Sequence, residues 1–404
     1  MKRRDFLKNC SVALTGSLLL SGCKNSEQNE EGQITRRKFK NISMPLLGLG
    51  CMRLPMKNNQ IDMDELNTMV DYCIQHGANY FDTAYRYVDY KSEIAIGKAL
   101  SRYNRKDFLL ADKSPLRFLK AEKDIDRIFQ EQLRKCQVDY FDFYMAHNIN
   151  VNTYDKFKQF DMYNELLKYK KDGKIKYMGF SFHGSTEMLK ELIDEHKWDF
   201  CMLQMNYLDW NVVKAKEQYE LVEKAKIPVI VMEPLRGGGL VKLPEEALQK
   251  LHSEEPDTTP ANFGLRWVAS RKNVITVLSG MSNINQVKEN INTFTNYKVM
   301  TEEEEQTAEE IAKIIQSQGE INCTACKYCT EVCPKGINIP AIFALYNQYK
   351  ITNDKRFFLI YYNSLAESEK ASNCIKCGVC NSNCPQSLNI PELLAKINEE
   401  VVQG

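Results

Sequence analysis

The strongest restriction on the fold of this chain is a repeated alternation of short apolar runs and longer amphipathic segments between residues 44 and 300. Eight apolar runs can be counted, among them NYFDTA, FLLADKS, PVIVMEP and VITVLSG, and segments such as DELNTMVDYCIQHG separate them. This alternation is typical of consecutive strand–helix units that form a parallel sheet. Eight units in about 255 residues match the usual size of a TIM barrel. The alternative, a doubly wound open sheet, is hard to reconcile with eight evenly spaced repeats.

The composition is that of a globular protein with no preference for nucleic acid. Hydrophobic residues make up 43% of the chain and charged residues 26%, which is enough for a sizeable core. The net charge is +1, and it becomes −2 without residues 1–22, because these carry four basic side chains and one acidic side chain. This near-neutral balance argues against a nucleic-acid partner.

The N-terminus has the pattern of an export signal. MKRRDFLKNCSVALTGSLLLSGC combines a basic head, an apolar run too short to span a membrane, and small residues before Cys23. RRDFLK resembles the twin-arginine signal, and LSGC resembles the lipobox of lipoproteins. These resemblances imply that residues 1–22 are removed, that Cys23 is acylated, and that the protein is anchored on the extracytoplasmic, periplasmic side of a bacterial membrane. Residues 23–34 are polar and predict a flexible tether. The alternative is an uncleaved apolar N-terminus on a cytosolic protein.

Eight of the fourteen cysteines fall in two similar motifs, CTACKYCTEVCP at 323–334 and CIKCGVCNSNCP at 374–385. In two-cluster ferredoxins with this spacing, the fourth cysteine of each motif ligates the partner cluster. We therefore predict two 4Fe-4S clusters, one held by Cys323, Cys326, Cys329 and Cys384 and the other by Cys374, Cys377, Cys380 and Cys333. Structural zinc is the alternative, although zinc sites usually pair two separated C-x-x-C units.

Helical patterns surround both cysteine motifs. CPKGINIPAIFALYN is repeated 51 residues later as CPQSLNIPELLAKIN, and KRFFLIYYNSLAESEK between them also predicts a helix. We therefore expect a small, mainly α-helical ferredoxin-like domain over residues 321–404. TEEEEQTAEEIAKIIQS predicts a connecting helix within residues 301–320, after a barrel at 35–300. The other thiols of the mature chain are expected to be core residues, namely Cys51, Cys73, Cys136 and Cys201.

Polar side chains follow three consecutive predicted strands, where barrel active sites lie. Asp82 and Tyr87 follow the second strand, Lys113 the third and His147 the fourth. Each residue alone could be an ordinary surface or core residue. Together, FDTA with a tyrosine five residues after the aspartate, the lysine of DKS and the histidine of MAH resemble the aldo-keto reductase family over about residues 44–300. The resemblance implies an enzyme that interconverts alcohols and carbonyls.

The resemblance also implies a role for each of these four residues. Hydride addition to a carbonyl leaves an alkoxide that needs a proton, and Tyr87 would donate it in reduction and accept it in oxidation. Lys113 would favour the phenolate of Tyr87, because a nearby cation lowers the pKa of a tyrosine. Asp82 would hold Lys113 in place, and His147 would donate a hydrogen bond to the substrate oxygen.

An NADP or NAD site is implied by the same resemblance. The loop PLRGGGL would meet the pyrophosphate, and the helix after SGMSNINQ would offer its N-terminus to phosphate. The chain departs from the family pattern at Phe182 and His183, where an asparagine is common, and at Met232, where an aromatic residue is common. Gln286 occupies the place where an arginine of other family members often meets the 2′-phosphate of NADP, so the preference between NAD and NADP is open. The implied contacts are Ser181, Gln204, Leu235, Gly237, Gly280, Asn283, Gln286 and Asn290.

An exported enzyme would find little soluble nicotinamide, so the clusters offer another electron route. The sequence therefore predicts a lipid-anchored oxidoreductase that acts on a small alcohol or carbonyl, such as a sugar or polyol, and passes electrons through two clusters to a redox partner at the membrane. A bound nicotinamide would remain as a prosthetic group. The sequence shows no flavin fingerprint for coupling two-electron to one-electron steps. One alternative is a conventional NAD(P)H-dependent carbonyl reductase whose cluster domain is structural or sensory. Another is an electron-transfer protein with a catalytically silent barrel.

Overall fold

The computed structural model describes residues 32–212, 215–317, 319, 321–352 and 355–403. The predicted export signal and Cys23 lie outside these residues. Within these ranges, no helix is both long and apolar enough to cross a membrane.

Eight parallel strands close into a barrel, which confirms the predicted TIM-barrel fold. Neighbours around the barrel follow the order of the chain, and the pairing of Leu278 with Gly48 joins the last strand to the first. The strands are β1 (Leu47–Gly50), β2 (Tyr80–Asp82), β3 (Leu109–Ser114), β4 (Phe141–Ile149), β5 (Ile175–Phe182), β6 (Phe200–Gln204), β7 (Val229–Met232) and β8 (Val274–Ser279).

A two-stranded antiparallel hairpin, Arg36–Phe39 and Ile42–Pro45, precedes the barrel and was not predicted. Its Phe39 packs edge-on against Tyr177, and together with Met44 it joins the cluster of buried side chains that includes Phe143. Residues from strands β2 to β8 complete this cluster, as expected for the packed interior of a TIM barrel.

Amphipathic helices cover the outside of the barrel. The helix Lys123–Cys136 buries Ile125, Phe129 and Leu133 and exposes charged residues on its other face, as its periodicity requires. The helices of the barrel are Met63–Gln75, Tyr87–Tyr90, Ser92–Leu100, Lys123–Cys136, Tyr154–Gln159, Met162–Lys171, Thr186–Glu195, Asp209–Val212, Ala215–Lys224, Glu245–Glu254, Pro260–Ala269 and Ile284–Thr295. The four thiols assigned to the barrel core are all buried.

The helix Glu302–Ser317 follows the barrel, as predicted for residues 301–317. Four glutamates occupy its first turn, where the helix dipole favours negative charge. It buries Ala308, Ile311 and Ile315 and packs against the helix Glu245–Glu254.

The remaining described residues form a small helical unit, which we call the cluster domain (residues 321–403). It has its own core, in which Phe343, Tyr346 and Phe358 are buried. The helices after the two cysteine motifs each begin one residue before the proline that was predicted to start them. Its α-helices are Tyr328–Val332, Ile339–Thr352, Lys355–Asn363, Val379–Ser382 and Ile390–Ile397, and a π-helical turn, Asn398–Gln403, follows.

Candidate active site and cluster-binding cysteines

A buried ion pair lies at the carboxyl ends of two adjacent strands. Asp82 ends β2 and Lys113 is the fifth residue of β3, and their side chains are 2% and 1% exposed. The Lys113 ammonium donates hydrogen bonds to the Asp82 carboxylate and to the Thr83 carbonyl oxygen, the latter at 2.7 Å. Burial raises the pKa of Asp82, and the charge of Lys113 offsets part of this effect. The Asp82 carboxylate and the Thr83 carbonyl therefore hold the Lys113 ammonium in place from two sides.

Tyr87 and His147 stand next to this ion pair. The Lys113 Nζ atom lies 4.8 Å from the centroid of the Tyr87 ring, and the Tyr87 and His147 rings meet edge to face with centroids 6.1 Å apart. Burial raises the pKa of Tyr87 well above its usual range, and the Asp82 carboxylate adds to this effect. Burial also lowers the pKa of His147 well below its usual range, and the charge of Lys113 adds to it. Both side chains are therefore neutral in the resting site.

Burial and a nearby carboxylate raise the pKa of Tyr87. The sequence led us to expect that Lys113 would favour the phenolate, and burial and Asp82 act in the opposite direction. Lys113 is instead engaged by Asp82 and by the Thr83 carbonyl. A neutral Tyr87 carries the proton that reduction of a carbonyl requires, whereas oxidation of an alcohol requires its phenolate.

All four residues line one cavity at the carboxyl ends of the strands, with an empty volume of about 960 Å³. We call it the active-site cavity. Its walls come from the barrel and also from the cluster domain, which contributes Cys326, Tyr328 and Pro385. The substrate space is therefore enclosed jointly by both parts of the chain.

The active-site cavity also contains polar residues that were not among the predicted contacts. Glu233 follows β7 and His183 follows β5, and the Glu233 Oε2 and His183 Nδ1 atoms are buried with no hydrogen-bond partner in the described structure. Burial raises the pKa of Glu233 to about 7 and lowers the pKa of His183 to about 4. Their positions directly after strands could have identified them. Tyr328 carried no such signal, because it belongs to another domain.

The eight motif cysteines form two groups of four. Cys323, Cys326, Cys329 and Cys384 line one cavity of the cluster domain, of about 300 Å³. Cys333, Cys374, Cys377 and Cys380 line a second cavity, of about 330 Å³. We call these the first and second cluster sites. They contain the same sets of four that the sequence assigns to each cluster, including the exchange of the fourth cysteine between motifs.

The donor set of each cavity fits an iron–sulfur cluster. Four thiols face each cavity, and thiolates are the usual ligands of 4Fe-4S clusters. In each set, three cysteines come from one motif and the fourth from the other, as in two-cluster ferredoxins.

The predicted nicotinamide contacts are only partly brought together. Ser181, Leu235, Gly237 and Gly280 line the active-site cavity. The other four do not line it, because their side chains are used elsewhere. Gln204 pairs with Gln386 of the cluster domain, and Asn290 donates to Ser279 Oγ. Asn283 caps its own helix, and Gln286 accepts a hydrogen bond from the Ser282 N–H. Four of the eight predicted contacts therefore line the active-site cavity, and the other four lie outside its lining.

The barrel fold, together with the arrangement of Asp82, Tyr87, Lys113 and His147, defines an oxidoreductase of the aldo-keto reductase type. Comparison with known proteins agrees: the model "Aldo/keto reductase family" matches residues 46–313, and the chain belongs to this family. The model "4Fe-4S dicluster domain" matches residues 322–389, which supports the predicted iron–sulfur domain. Aldo-keto reductases generally use NADP(H).

Individual relatives resemble the barrel part of the chain. An uncharacterized oxidoreductase, YqkF, of Bacillus subtilis is 27% identical over 290 residues, covering 64% of this chain and 89% of its own. The methylglyoxal reductase DkgA of Escherichia coli K12 is 25% identical over 234 residues, covering 55% of this chain and 75% of its own. Among solved structures, aldo-keto reductase AKR11C1 from Bacillus halodurans in its holo form superposes with a TM-score of 0.59 at 26% identity, covering 69% of this chain and 96% of its own.

Proposed function

We propose that this enzyme interconverts an alcohol and a carbonyl in the active-site cavity and exchanges the electrons of that reaction through two 4Fe-4S clusters. The observation that carries this proposal is the position of Cys326. Its side chain lines the active-site cavity and also the first cluster site. A cluster ligand thus forms part of the wall of the substrate space, which is where a redox group must be to serve the reaction.

In the direction of reduction, the four barrel residues have complementary roles. Neutral Tyr87 donates its proton to the substrate oxygen as negative charge develops there. Neutral His147 donates a ring N–H to the same oxygen, and the charge of Lys113 stabilises the phenolate left on Tyr87. Asp82 keeps Lys113 charged and oriented through its buried hydrogen bond. In oxidation the same groups act in reverse, starting from the less favourable phenolate.

The first and second cluster sites would each hold one cluster through four thiolates. When bound, each cluster supplies one-electron chemistry. Conversion of an alcohol to a carbonyl releases two electrons and two protons, so two clusters match the electron count of one turnover.

The second cluster site supports an exit for electrons at the protein surface. Cys377 is exposed, and the large apolar side chains beside it, Ile375 and Val379, are 57% and 43% exposed. An apolar surface next to a redox site suits transient contact with an electron-transfer partner. We propose that this partner lies at the membrane and that a lipid on Cys23 would keep the enzyme near it on the extracytoplasmic side.

A small polyhydroxy substrate suits the active-site cavity. The unpartnered atoms of Glu233 and His183 can hydrogen-bond hydroxyl groups beyond the reacting carbon. Relatives include an L-galactose dehydrogenase of Arabidopsis thaliana, which is 22% identical over 298 residues, covering 68% of this chain and 92% of its own. We therefore propose sugars and related polyols, with their carbonyl forms, as the substrate class.

The test is anaerobic reduction of the clusters by substrate. The holoenzyme is mixed with candidate polyols, and the visible absorbance of the clusters is followed. We expect bleaching that Tyr87→Phe abolishes and that Tyr90→Phe leaves intact, since Tyr90 lies on the same short helix but outside the cavity lining. Bleaching that survives Tyr87→Phe would contradict the proposed role of the barrel. Clusters that stay oxidised while NAD(P)H reduces carbonyls would instead establish a conventional reductase.

A further inference from the structure

Groups that a nicotinamide dinucleotide would need are already bound by other parts of this chain. We infer that the described barrel has no functional dinucleotide site, and that the cluster domain takes the place of that cofactor at the barrel mouth. The exclusion of the dinucleotide rests on geometry alone. Only the electron route that replaces it rests on the proposed function.

The end of the site that would bind the carboxamide is closed by a pair of glutamines. Gln204 and Gln386 are 8% and 6% exposed and exchange two hydrogen bonds, of 2.9 and 2.8 Å. The second N–H of the Gln204 amide is donated to Asp209 Oδ2 at 2.7 Å. Both donors and the carbonyl oxygen of Gln204 are therefore used. Binding a carboxamide there would first require breaking buried hydrogen bonds.

The loop that would meet the pyrophosphate is in contact with the cluster domain. A Cβ atom placed on Gly237 would lie 2.4 Å from the carbonyl oxygen of Thr324, so the two backbones are in close contact. Arg53 donates to the same carbonyl at 2.9 Å. Arg236 pairs with Asp209 at 3.0 Å and donates to Asn322 at 2.7 Å. Arg236 of this loop and the neighbouring Arg53 thus both contact protein groups.

The helix that would receive a phosphate has its N-terminal donors occupied. The backbone N–H of Ile284 donates to the Glu65 carboxylate at 2.7 Å, and that of Gln286 donates to the side chain of Asn283 at 3.0 Å. The N–H of Ser282 donates to the side chain of Gln286 at 2.7 Å. A phosphate needs these free N–H groups. The carboxylate already bound there would also repel it.

The active-site cavity itself is unfavourable to a pyrophosphate. Glu233 immediately precedes the PLRGGGL loop and places an unpartnered carboxyl oxygen in a buried position. When ionised, this carboxyl group would repel a doubly charged pyrophosphate, and the charges of Arg53 and Arg236 offset part of that repulsion. The carboxamide end, the pyrophosphate loop and the N-terminus of the phosphate-binding helix, together with Glu233, therefore all disfavour a bound dinucleotide.

The redox balance follows from this exclusion and from the proposed function. Without a nicotinamide ring, no carbon acceptor takes a hydride from the substrate. Conversion of an alcohol to a carbonyl breaks its O–H bond and the C–H bond of the same carbon and yields two protons and two electrons, and the two cluster sites, when occupied, would supply a one-electron acceptor for each electron. Reduction of a carbonyl consumes the same numbers of electrons and protons in reverse.

The experiment is a dinucleotide search on the intact holoenzyme, purified anaerobically. Acid extracts are analysed for NAD(H) and NADP(H), and NADPH is titrated up to millimolar concentration while its fluorescence is followed. A conventional aldo-keto reductase that binds NADPH serves as the positive control. We expect no nucleotide in the extract and no saturable binding. Stoichiometric nucleotide in the extract, or saturable NADPH binding, would overturn the inference.

The variant Gln204→Ala separates the two possible roles of this residue. If Gln204 holds the two domains together, the cluster absorbance should be lost at a lower denaturant concentration, and NADPH should still not bind. The control Gln249→Ala, at an exposed helical position, should change neither quantity. NADPH binding that Gln204→Ala weakens would instead show a cofactor contact. Whether substrate reduces the clusters is measured separately, so failure of the proposed function is distinguishable from failure of this inference.

Discussion

Replacing Gly237 with alanine tests the contact between the loop after β7 and the cluster domain. Gly237 has a φ of 65°, and the neighbouring Gly238 has a φ of 96°. Alanine is strained at either position, by about 1–2 kcal/mol. The two positions differ in their surroundings. A Cβ on Gly237 meets the Thr324 carbonyl oxygen at 2.4 Å, whereas a Cβ on Gly238 has no heavy atom within 4 Å. Gly238→Ala is therefore a control with a positive φ but without this contact.

The difference between the two variants can be estimated from this distance. Ordinary contacts of a Cβ atom begin near 3.4 Å, so Gly237→Ala requires the Thr324 backbone to move away by about 1 Å. Forced displacement of well-packed groups typically costs about 1–3 kcal/mol. We expect Gly237→Ala to destabilise the docking of the cluster domain by this amount beyond the effect of Gly238→Ala.

Chemical denaturation of the holoenzyme under anaerobic conditions provides the assay. Cluster absorbance reports on the cluster domain and far-ultraviolet circular dichroism on the barrel helices. The expected result for Gly237→Ala is earlier loss of cluster absorbance and slower reduction of the clusters by substrate, relative to Gly238→Ala. Equal behaviour of the two variants in both measurements would refute the close contact between Gly237 and Thr324 and the reasoning built on it.

Three further predictions concern the buried pair, a histidine and the clusters. Lys113→Met should lower the unfolding free energy by about 3–5 kcal/mol, because it leaves the carboxylate of Asp82 buried and unpaired, and adding Asp82→Asn should recover part of the loss in denaturation curves. Burial lowers the pKa of His183 to about 4, so between about pH 6.5 and 4 the folded state binds fewer protons than the unfolded state. The folded state therefore loses stability as the pH falls through this window. The loss, about 2 kcal/mol after allowance for partial exposure, should be absent from His183→Gln when the two proteins are compared at pH 5 and 7. Cys384→Ser should reduce iron content from about eight to about four atoms per chain and prevent reduction of the second cluster by substrate, whereas Cys377→Ser should leave the first cluster reducible in electron paramagnetic resonance spectra.

The barrel could be predicted because its information is local. Each strand is a short apolar run and each helix an amphipathic segment, and both patterns repeat within about 30 residues. The hairpin formed by Arg36–Phe39 and Ile42–Pro45 was missed because its strands are only four residues long and the first is mostly basic. Asp82 and Lys113 could be singled out since they lie near the carboxyl ends of strands that are adjacent in the chain and, in a parallel barrel, also adjacent in space.

The contacts between the two domains could not be predicted in this way. Gln204 and Gln386 are 182 positions apart, and nothing in either local sequence marks them as partners. Family resemblance instead assigned Gln204 to a cofactor. Such an assignment depends on open space around the residue, and the cluster domain occupies that space here. The raised pKa of Tyr87 could not be predicted either, because burial depends on tertiary structure.

The link between the cluster domain and the catalytic residues extends to the opposite side of the cavity. Glu331 lies in the helix Tyr328–Val332, between the predicted cluster ligands Cys329 and Cys333. It pairs with Arg86 at 3.3 Å and with Arg117 at 3.7 Å. Arg86 directly precedes Tyr87. These ion pairs are partly exposed, so each contributes little to stability. Two arginines that converge on one carboxylate nevertheless restrict where it can lie. We therefore expect Glu331 to set the position of the first cluster site relative to Tyr87, because the same short helix carries Tyr328 and Cys329.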